Sequence, residues 1–143
     1  MSTGGDLPQT RTEVWAELTI RGDGLSLEAI SADLGIDPTK TWSRGTPAFK
    51  GGGSAVWKDD GWRWGTQHEF SRDLPRLIED VVDLFAPKTE VVKRIAQSGS
   101  SVYLEGVAEI HDGDVPLIVL SNSVLTTIAQ MGASLAFDLI MRA

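Results

Sequence analysis

The chain has no cysteine and only two histidines among its 143 residues. The absence of cysteine excludes disulfide bonds, thiolate zinc sites, iron–sulfur clusters and cysteine nucleophiles. It also fits a cytoplasmic protein, which is the location we expect. Because the remaining residues show no complete catalytic or metal-binding pattern, we expect no cofactor.

Long apolar runs and an excess of positive charge are also missing. No apolar stretch approaches the roughly 18 residues that span a bilayer, so we expect no contact with the membrane. The N-terminus lacks the basic and apolar regions of a signal peptide. Asp and Glu number 20 against 13 Lys and Arg, which gives a formal net charge of −7. This charge repels phosphate backbones, so we do not expect nucleic acid binding.

The chain length fits one domain with its own hydrophobic core. Residues 1–12 are polar and are predicted to form a disordered tail. Residues 13–143 alternate between the period of a half-buried strand and that of an amphipathic helix, which predicts a single α+β domain. Strands are predicted at residues 13–20, 101–110, 115–120 and 134–141. Helices are predicted after potential N-terminal caps at Ser26, Asp73, Thr89 and either Ser121 or Ser123.

One sequence pattern occurs twice. At Leu18–Gly35 and again at Val119–Gly132, a strand and a short turn precede a serine, a Leu-x-x-Ile helix and a glycine. Two such β-α-β units predict a ferredoxin-like, pseudo-duplicated fold with helices packed on an antiparallel or mixed sheet. Chance is the alternative explanation, because any two capped amphipathic helices that end in glycine look similar.

Four of the five tryptophans lie between Thr41 and Gln67. Short strands are predicted at residues 40–43, 54–58 and 62–66, with Asp60-Gly61 as a hairpin turn. This turn would place Trp57 across from Trp62. Five cations lie in or beside the segment: Lys40, Arg44, Lys50, Lys58 and Arg63.

Clustered tryptophans and cations have two interpretations. Large aromatic side chains usually supply buried area in the core. Together with cations they can also stack a base or hold an anionic ligand. Under the second interpretation, the candidate binding residues are Trp42, Arg44, Gly45, Trp62 and Trp64.

The histidines give weaker indications of chemistry. His68 and Glu69 could form an acid–base pair, but no nucleophile is marked nearby. His111, Asp112 and Asp114 offer metal ligands on a turn, although such residues are usually solvated turn chemistry.

Several of these motifs together resemble a known family. They are Leu18-Thr-Ile-Arg-Gly22, Trp42, Gly45, Gly61-Trp62-x-Trp64-Gly-Thr66 and a final Leu-x-x-Ile-Ala-x-Met-Gly-Ala-x-Leu-x-Phe-Asp138. This pattern resembles the bacterial family catalogued as domain of unknown function 4279. The resemblance implies a small single-domain α+β protein with no assigned activity, so it supplies no catalytic residues.

The sequence favours a non-enzymatic protein-interaction module, whose partner we expect to be basic because the chain is acidic. One concrete form is an immunity or antitoxin-like role, with the chain acting as a monomer or a homodimer. One alternative is a domain that binds a small anionic ligand or nucleotide in the tryptophan–arginine groove. Another is an enzyme that uses His68 or His111.

Overall fold

A computed structural model describes residues 9–49 and 51–143. The strands of this part of the chain are β1 (Glu13–Gly22), β2 (Lys40–Trp42), β3 (Asp60–Gly65), β4 (Glu69–Phe70), β5 (Ser101–His111) and β6 (Ser134–Arg142). The α-helices are α1 (Leu27–Leu34), α2 (Leu74–Phe85), α3 (Thr89–Gln97) and α4 (Asn122–Gln130). A 3₁₀ turn at Ala86–Lys88 joins α2 to α3.

The strands form one mixed sheet in the order β2-β3-β1-β5-β6, and β4 pairs with the start of β1. Neighbouring strands are antiparallel except β5 and β6, which are parallel. The predicted α+β class with a mixed sheet is therefore confirmed.

The hydrophobic core lies on one face of this sheet. The even-numbered residues of β1, from Val14 to Ile20, are fully buried against the helices. Helix α2 contributes a stripe from Leu74 to Phe85, whose members recur three and four residues apart as predicted. Each fully buried aliphatic or aromatic side chain contributes roughly 1.5–3 kcal/mol to stability. We call this side the helix face. The opposite side, which carries the odd-numbered residues of β1 and β5, is called the open face.

Two of the predicted caps, Asp73 and Ser121, form capping hydrogen bonds. Ser26 precedes α1 without a side-chain capping bond, and the predicted cap at Thr89 is wrong, because Thr89 is the first residue of α3 and Lys88 precedes it.

The Asp73 carboxylate accepts a hydrogen bond of 3.2 Å from the Arg76 amide at the start of α2. The Ser121 hydroxyl accepts one of 3.2 Å from the Val124 amide at the start of α4. Gly35 ends α1 with φ of 67°, a left-handed conformation that glycine adopts without a steric penalty.

The predicted strand at residues 115–120 is wrong. This segment is a loop in which Leu117 makes one isolated bridge to Asp73, and the side chains of Val115, Leu117 and Val119 are exposed. As the return strand of a hairpin after the turn at residues 111–114, this segment would need a free edge of β5. Both edges of β5 are already occupied, one by β1 and the other by β6.

The predicted hairpin turn at Asp60-Gly61 is also wrong. Both residues lie inside β3, where Asp60 pairs with Gly22 and Gly61 with Arg21. The Asp60 carboxylate accepts hydrogen bonds from the backbone amides of Leu25 (3.0 Å) and Arg44 (2.9 Å). It therefore ties two loops to the strand, and these bonds, led by the one from Arg44, lower its pKa.

The segment before β3 differs from the prediction as well. Residues 54–58 do not form a strand, and only Val56 makes a bridge, to Pro47. Trp57 consequently lies beside Trp42 rather than opposite Trp62.

The two β-α-β units place their strands differently. In the first, β3 lies between β1 and β2. The second lacks its predicted first strand at residues 115–120, and α4 instead follows β5 and leads to β6, which is adjacent to β5. The structure therefore does not confirm the predicted ferredoxin-like pseudo-duplication. None of the helices in residues 9–49 and 51–143 is long and apolar enough to cross a membrane.

The N-terminal prediction falls largely outside the described residues, which begin at position 9. Of the predicted tail, Thr10 and Thr12 contact the domain. The Thr10 hydroxyl lies 2.6 Å from the Asp114 carboxylate, and the Thr12 hydroxyl donates to the Asp114 carbonyl at 2.6 Å. Thr12 is fully buried.

Candidate functional site

The five predicted binding residues do not lie together. Trp62 and Trp64 are on the helix face, where both indoles meet Phe85 edge-on at centroid distances of 6.1 and 6.2 Å. Trp62 is fully buried, and its Nε1 donates a hydrogen bond of 3.0 Å to the Ser31 hydroxyl. These two tryptophans therefore supply core packing on this face.

Trp42 lies on the open face, where it stacks on Trp57 at a centroid distance of 4.5 Å. Only 4% of Trp42 is exposed, whereas the Arg44 side chain is 69% exposed and reaches Asp23 at 3.4 Å. Gly45, with φ of 85°, donates its amide to the Trp57 carbonyl at 2.8 Å. Trp42 and Arg44 therefore do not face solvent together. Binding by these residues stays a prediction.

Three cations surround the stacked indoles. Arg21 and Arg63 lie 5.9 and 5.1 Å from the Trp42 centroid, and Lys40 lies 5.1 Å from that of Trp57. Each cation–π contact of this kind contributes about 0.5–1 kcal/mol to stability at exposed sites. Arg21 also holds Asp59 through its Nε and Nη2 at 3.0 and 3.1 Å, and this hydrogen bonding raises the pKa of Arg21.

A depression of about 570 Å³ opens beside these indoles. Its walls include Lys40, Trp42 and Trp57, and the loop residues 46–49 and 51–53 close its other side. Lys50, one of the predicted cations, lies outside the described residues.

A second group of charged residues lies in the middle of the open face. We call Glu17 of β1, Glu105 of β5 and Asp138 of β6 the acidic row. Glu17 and Glu105 are directly opposite each other across the β1–β5 pair. Burial raises the pKa of Glu105, and the negative charges of Glu17 and Asp138 raise it further.

Arg63 is a cation close to the acidic row. Its Nε lies 3.7 Å from the Glu17 carboxylate and donates a hydrogen bond of 3.0 Å to the Thr19 hydroxyl. The charge of Arg63 lowers the pKa of Glu105, but burial and the two acids outweigh it. Glu105 thus lacks an ion-pair partner of its own within the described residues.

A depression of about 1010 Å³ gives access to Glu105. Its lining combines both signs of charge with hydroxyl groups, from Arg21, Lys58, Asp59, Tyr103 and Ser134. This arrangement can accept a cationic side chain from outside, because such a cation would meet the Glu105 carboxylate at a partly buried position.

Sequence reasoning missed the acidic row. Glu17 and Glu105 do occupy the polar positions of two predicted strands, which indicates that both face away from the core. That β1 and β5 are neighbours, and that their register opposes these two acids, depends on tertiary pairing between distant segments.

The two histidines have different surroundings. His68 stacks on Trp15 at 3.8 Å, and its Nδ1 lies 2.7 Å from the Glu13 carboxylate. Its predicted partner Glu69 instead binds Arg76. Within the described residues, the buried Nδ1 of His111 has no hydrogen-bond partner.

The acidic residues that follow His111 form ion pairs with arginines of the same chain. Arg72 binds Asp114 at 2.8 Å and lowers its pKa, and Arg11 lies 3.4 Å from Asp112. In residues 9–49 and 51–143, no three His, Asp or Glu side chains are grouped to hold a metal ion. A catalytic role for His68 or His111 stays a prediction.

We expect Gly61→Ala to destabilise the protein by about 1–3 kcal/mol, as overpacking does. A Cβ at Gly61 would lie 1.9 Å from carbon atoms of the Trp42 ring, so the indole must move. Gly65→Ala is the matched control in the same strand, because its nearest neighbour would be 3.5 Å away. Urea unfolding followed by tryptophan fluorescence measures both. Equal free energies of unfolding for the two variants would contradict this packing.

We expect Glu105→Gln to stabilise the protein at pH 7 by roughly 0.2–1 kcal/mol, the scale of a cross-strand pair. Because folding raises the pKa of Glu105, its contribution to stability is greatest when it is protonated and falls as the pH rises through the folded-state pKa. The gain from glutamine should therefore disappear below the ordinary Glu pKa of 4.5. Urea unfolding at several pH values tests this.

Glu109→Gln is the control for that experiment. Glu109 also lies opposite an acid, Glu13, on the same face, but Glu109 pairs with Arg142 at 3.3 Å and Glu13 lies 2.7 Å from His68. Its neutralisation should therefore bring no gain at pH 7. A pH-independent effect of Glu105→Gln, or the same gain from both variants, would show that the charge of Glu105 without an ion-pair partner is not the cause.

Comparison with known proteins identifies the family. The model of the family described as a domain of unknown function (DUF4279) matches residues 10–142, which include every strand from β1 to β6. None of the curated proteins and none of the solved structures compared with the chain matches it. Since the match covers nearly the whole sequence, the chain belongs to the DUF4279 family.

Proposed function

We propose that this chain is a non-enzymatic protein-interaction module that binds a basic protein through the open face of its sheet. The observation that carries the proposal is the direct opposition of Glu17 and Glu105, together with the raised pKa of Glu105. Like charges opposite each other weaken a strand pair. An acid in that position therefore lowers the stability of the isolated domain.

A partner can offset this destabilisation. A Lys or Arg that enters the 1010 Å³ depression would give Glu105 the counter-charge that Arg63 gives Glu17. The side chain of Glu17 is only 13% exposed and Glu105 is half-buried, so the charges of these two acids are partly shielded from water. A cation placed beside these carboxylates attracts them more strongly than it would at a fully solvated surface.

The charge of the whole chain supports the same kind of partner. A net charge of −7 attracts a basic protein over distances of a Debye length and accelerates its association. An immunity or antitoxin-like protein that covers the basic surface of a toxin is one concrete form of such a module. We place this role in the bacterial cytoplasm.

Affinity capture with three baits tests the proposal. They are the wild type, the open-face variant Glu17→Gln/Glu105→Gln and the helix variant Glu79→Gln/Asp83→Asn. The two variants each lose two negative charges. The residues changed in the helix variant, Glu79 and Asp83, are both exposed on α2. We expect the wild type and the helix variant to bind one basic host protein in a 1:1 complex. The open-face variant should bind that purified protein at least about tenfold more weakly by calorimetry.

Two results would count against this function. One is the absence of a stoichiometric basic partner in lysate of the native host. The other is equal loss of affinity in the two variants, which would mean that net charge matters and the position of the acids does not.

A second candidate function is binding of a small anionic ligand beside the stacked Trp42 and Trp57. The 570 Å³ depression and the ammonium of Lys40, 5.8 and 5.1 Å from the two ring centroids, favour it. A nucleotide combines the flat ring and the negative charge that such a site would hold.

Titration of tryptophan emission with AMP, ATP and inorganic phosphate tests this candidate. We expect a saturable change with a nucleotide that Lys40→Ala reduces at least about tenfold in affinity. Lys58→Ala should leave it unchanged, because Lys58 lines the other depression. Flat titrations with all three compounds would exclude nucleotide binding at this position.

A further inference from the structure

Among the residues that the structure describes, strand β6 forms a long edge of the sheet with no strand on its outer side. It has nine residues and pairs only with β5 within the described chain, whereas the opposite edge, β2, has three residues. Three apolar side chains project from β6 on the helix face: Phe137, Leu139 and Met141 are 37%, 45% and 65% exposed. A long apolar edge presents unpaired backbone N–H and C=O groups to which another strand can add.

We propose that β6 pairs antiparallel with β6 of a second copy of this chain, so that the sheet continues across a homodimer. This inference does not rest on the proposed function, because it uses the backbone edge of β6 and not the opposition of Glu17 and Glu105, although Asp138 belongs to both surfaces. A twofold axis perpendicular to the sheet keeps the two helix faces on the same side. Residues directly opposite each other in antiparallel strands lie on the same face of the sheet. The axis must therefore lie between one residue and the same residue of the second copy, and each possible register is named by that residue.

The charges of β6 select the register. An axis at Asp138 would place two carboxylates directly opposite each other, which is unfavourable. An axis at Leu139 would oppose Asp138 to Ile140, and Arg142 to Ala136, so neither charge would face an opposite charge. An axis at Ile140 opposes Asp138 to Arg142 of the second copy, and does so twice by symmetry.

The apolar residues fit the same register. With the axis at Ile140, Leu139 lies opposite Met141 of the second copy on the helix face. Ile140 faces its own copy on the open face, so apolar residues meet apolar residues and each acid meets a base. The β6 side chains therefore complement themselves in charge and in polarity.

Both charged residues are exposed enough to make these contacts. Asp138 is exposed and forms no ion pair within residues 9–49 and 51–143. The Arg142 side chain is 51% exposed, and its Nη2 lies 3.3 Å from the Glu109 carboxylate on the same face. Its guanidinium has further donors with which it can bind a second carboxylate.

Cysteine cross-linking tests the register, and the chain has no native cysteine to interfere. Opposite residues of antiparallel strands have Cα atoms about 4.5–5.5 Å apart, within the range that a disulfide bridges. We expect Ile140→Cys to form a disulfide-linked dimer under mild oxidation at least about tenfold faster than Leu139→Cys, whose position faces Met141. Non-reducing electrophoresis measures the rates. Equal rates, or faster linkage of Leu139→Cys, would overturn this register.

Charge exchange tests the pairing without a thiol. Sedimentation equilibrium over roughly 1 μM to 1 mM, the range of weak interfaces, should show a wild-type dimer. Asp138→Arg and Arg142→Asp should each weaken it at least about tenfold, and the double variant should recover most of the loss. Circular dichroism melts establish that the variants are folded. A wild type that is monomeric throughout, or a folded double variant no stronger than either single variant, would overturn the proposal.

Discussion

The antiparallel pairing of β1 with β5 is the interaction on which the rest of the structure depends. It runs from Glu13 opposite Glu109 to Arg21 opposite Ser101, in the middle of the sheet. Because side chains alternate along a strand, this register sends the even-numbered residues of both strands into the core under the helices. The same register places Glu17 against Glu105 on the open face. Core packing and the acidic row are therefore two results of one pairing, and a shift by one residue would destroy both.

The position of this pair also determines what the outer strands can do. With β1 and β5 in the centre, β3 adds on one side and β6 on the other. Strand β3 divides the tryptophans, since Trp62 points into the core while Gly61 leaves room for Trp42 on the opposite face. Strand β6 is left as an edge. The aromatic cluster, the opposed acids Glu17 and Glu105, and the apolar edge therefore lie on distinct parts of the same sheet.

Local features of the fold could be predicted from the sequence, while features that depend on distant pairing could not. The caps at Asp73 and Ser121 and the apolar stripe of α2 depend on neighbouring residues, and they were predicted correctly. Residues 115–120 have the composition of a strand but find no free edge of β5. Asp60-Gly61 has the composition of a turn, yet Gly61 serves as the surface on which Trp42 packs. The acidic row was missed for the same reason, because sequence alone does not show that Glu17 and Glu105 are opposed.

The central claim is that the fold holds Glu105 in an unfavourable charged environment that a basic partner can relieve. Its most direct test is the pKa of Glu105, followed by carboxyl carbon NMR in the wild type and in Glu17→Gln. We expect a wild-type pKa above the ordinary 4.5, which falls toward that value in the variant but stays above it because burial remains. A Glu105 pKa at or below 4.5 in the wild type, or one that Glu17→Gln leaves unchanged, would contradict the account.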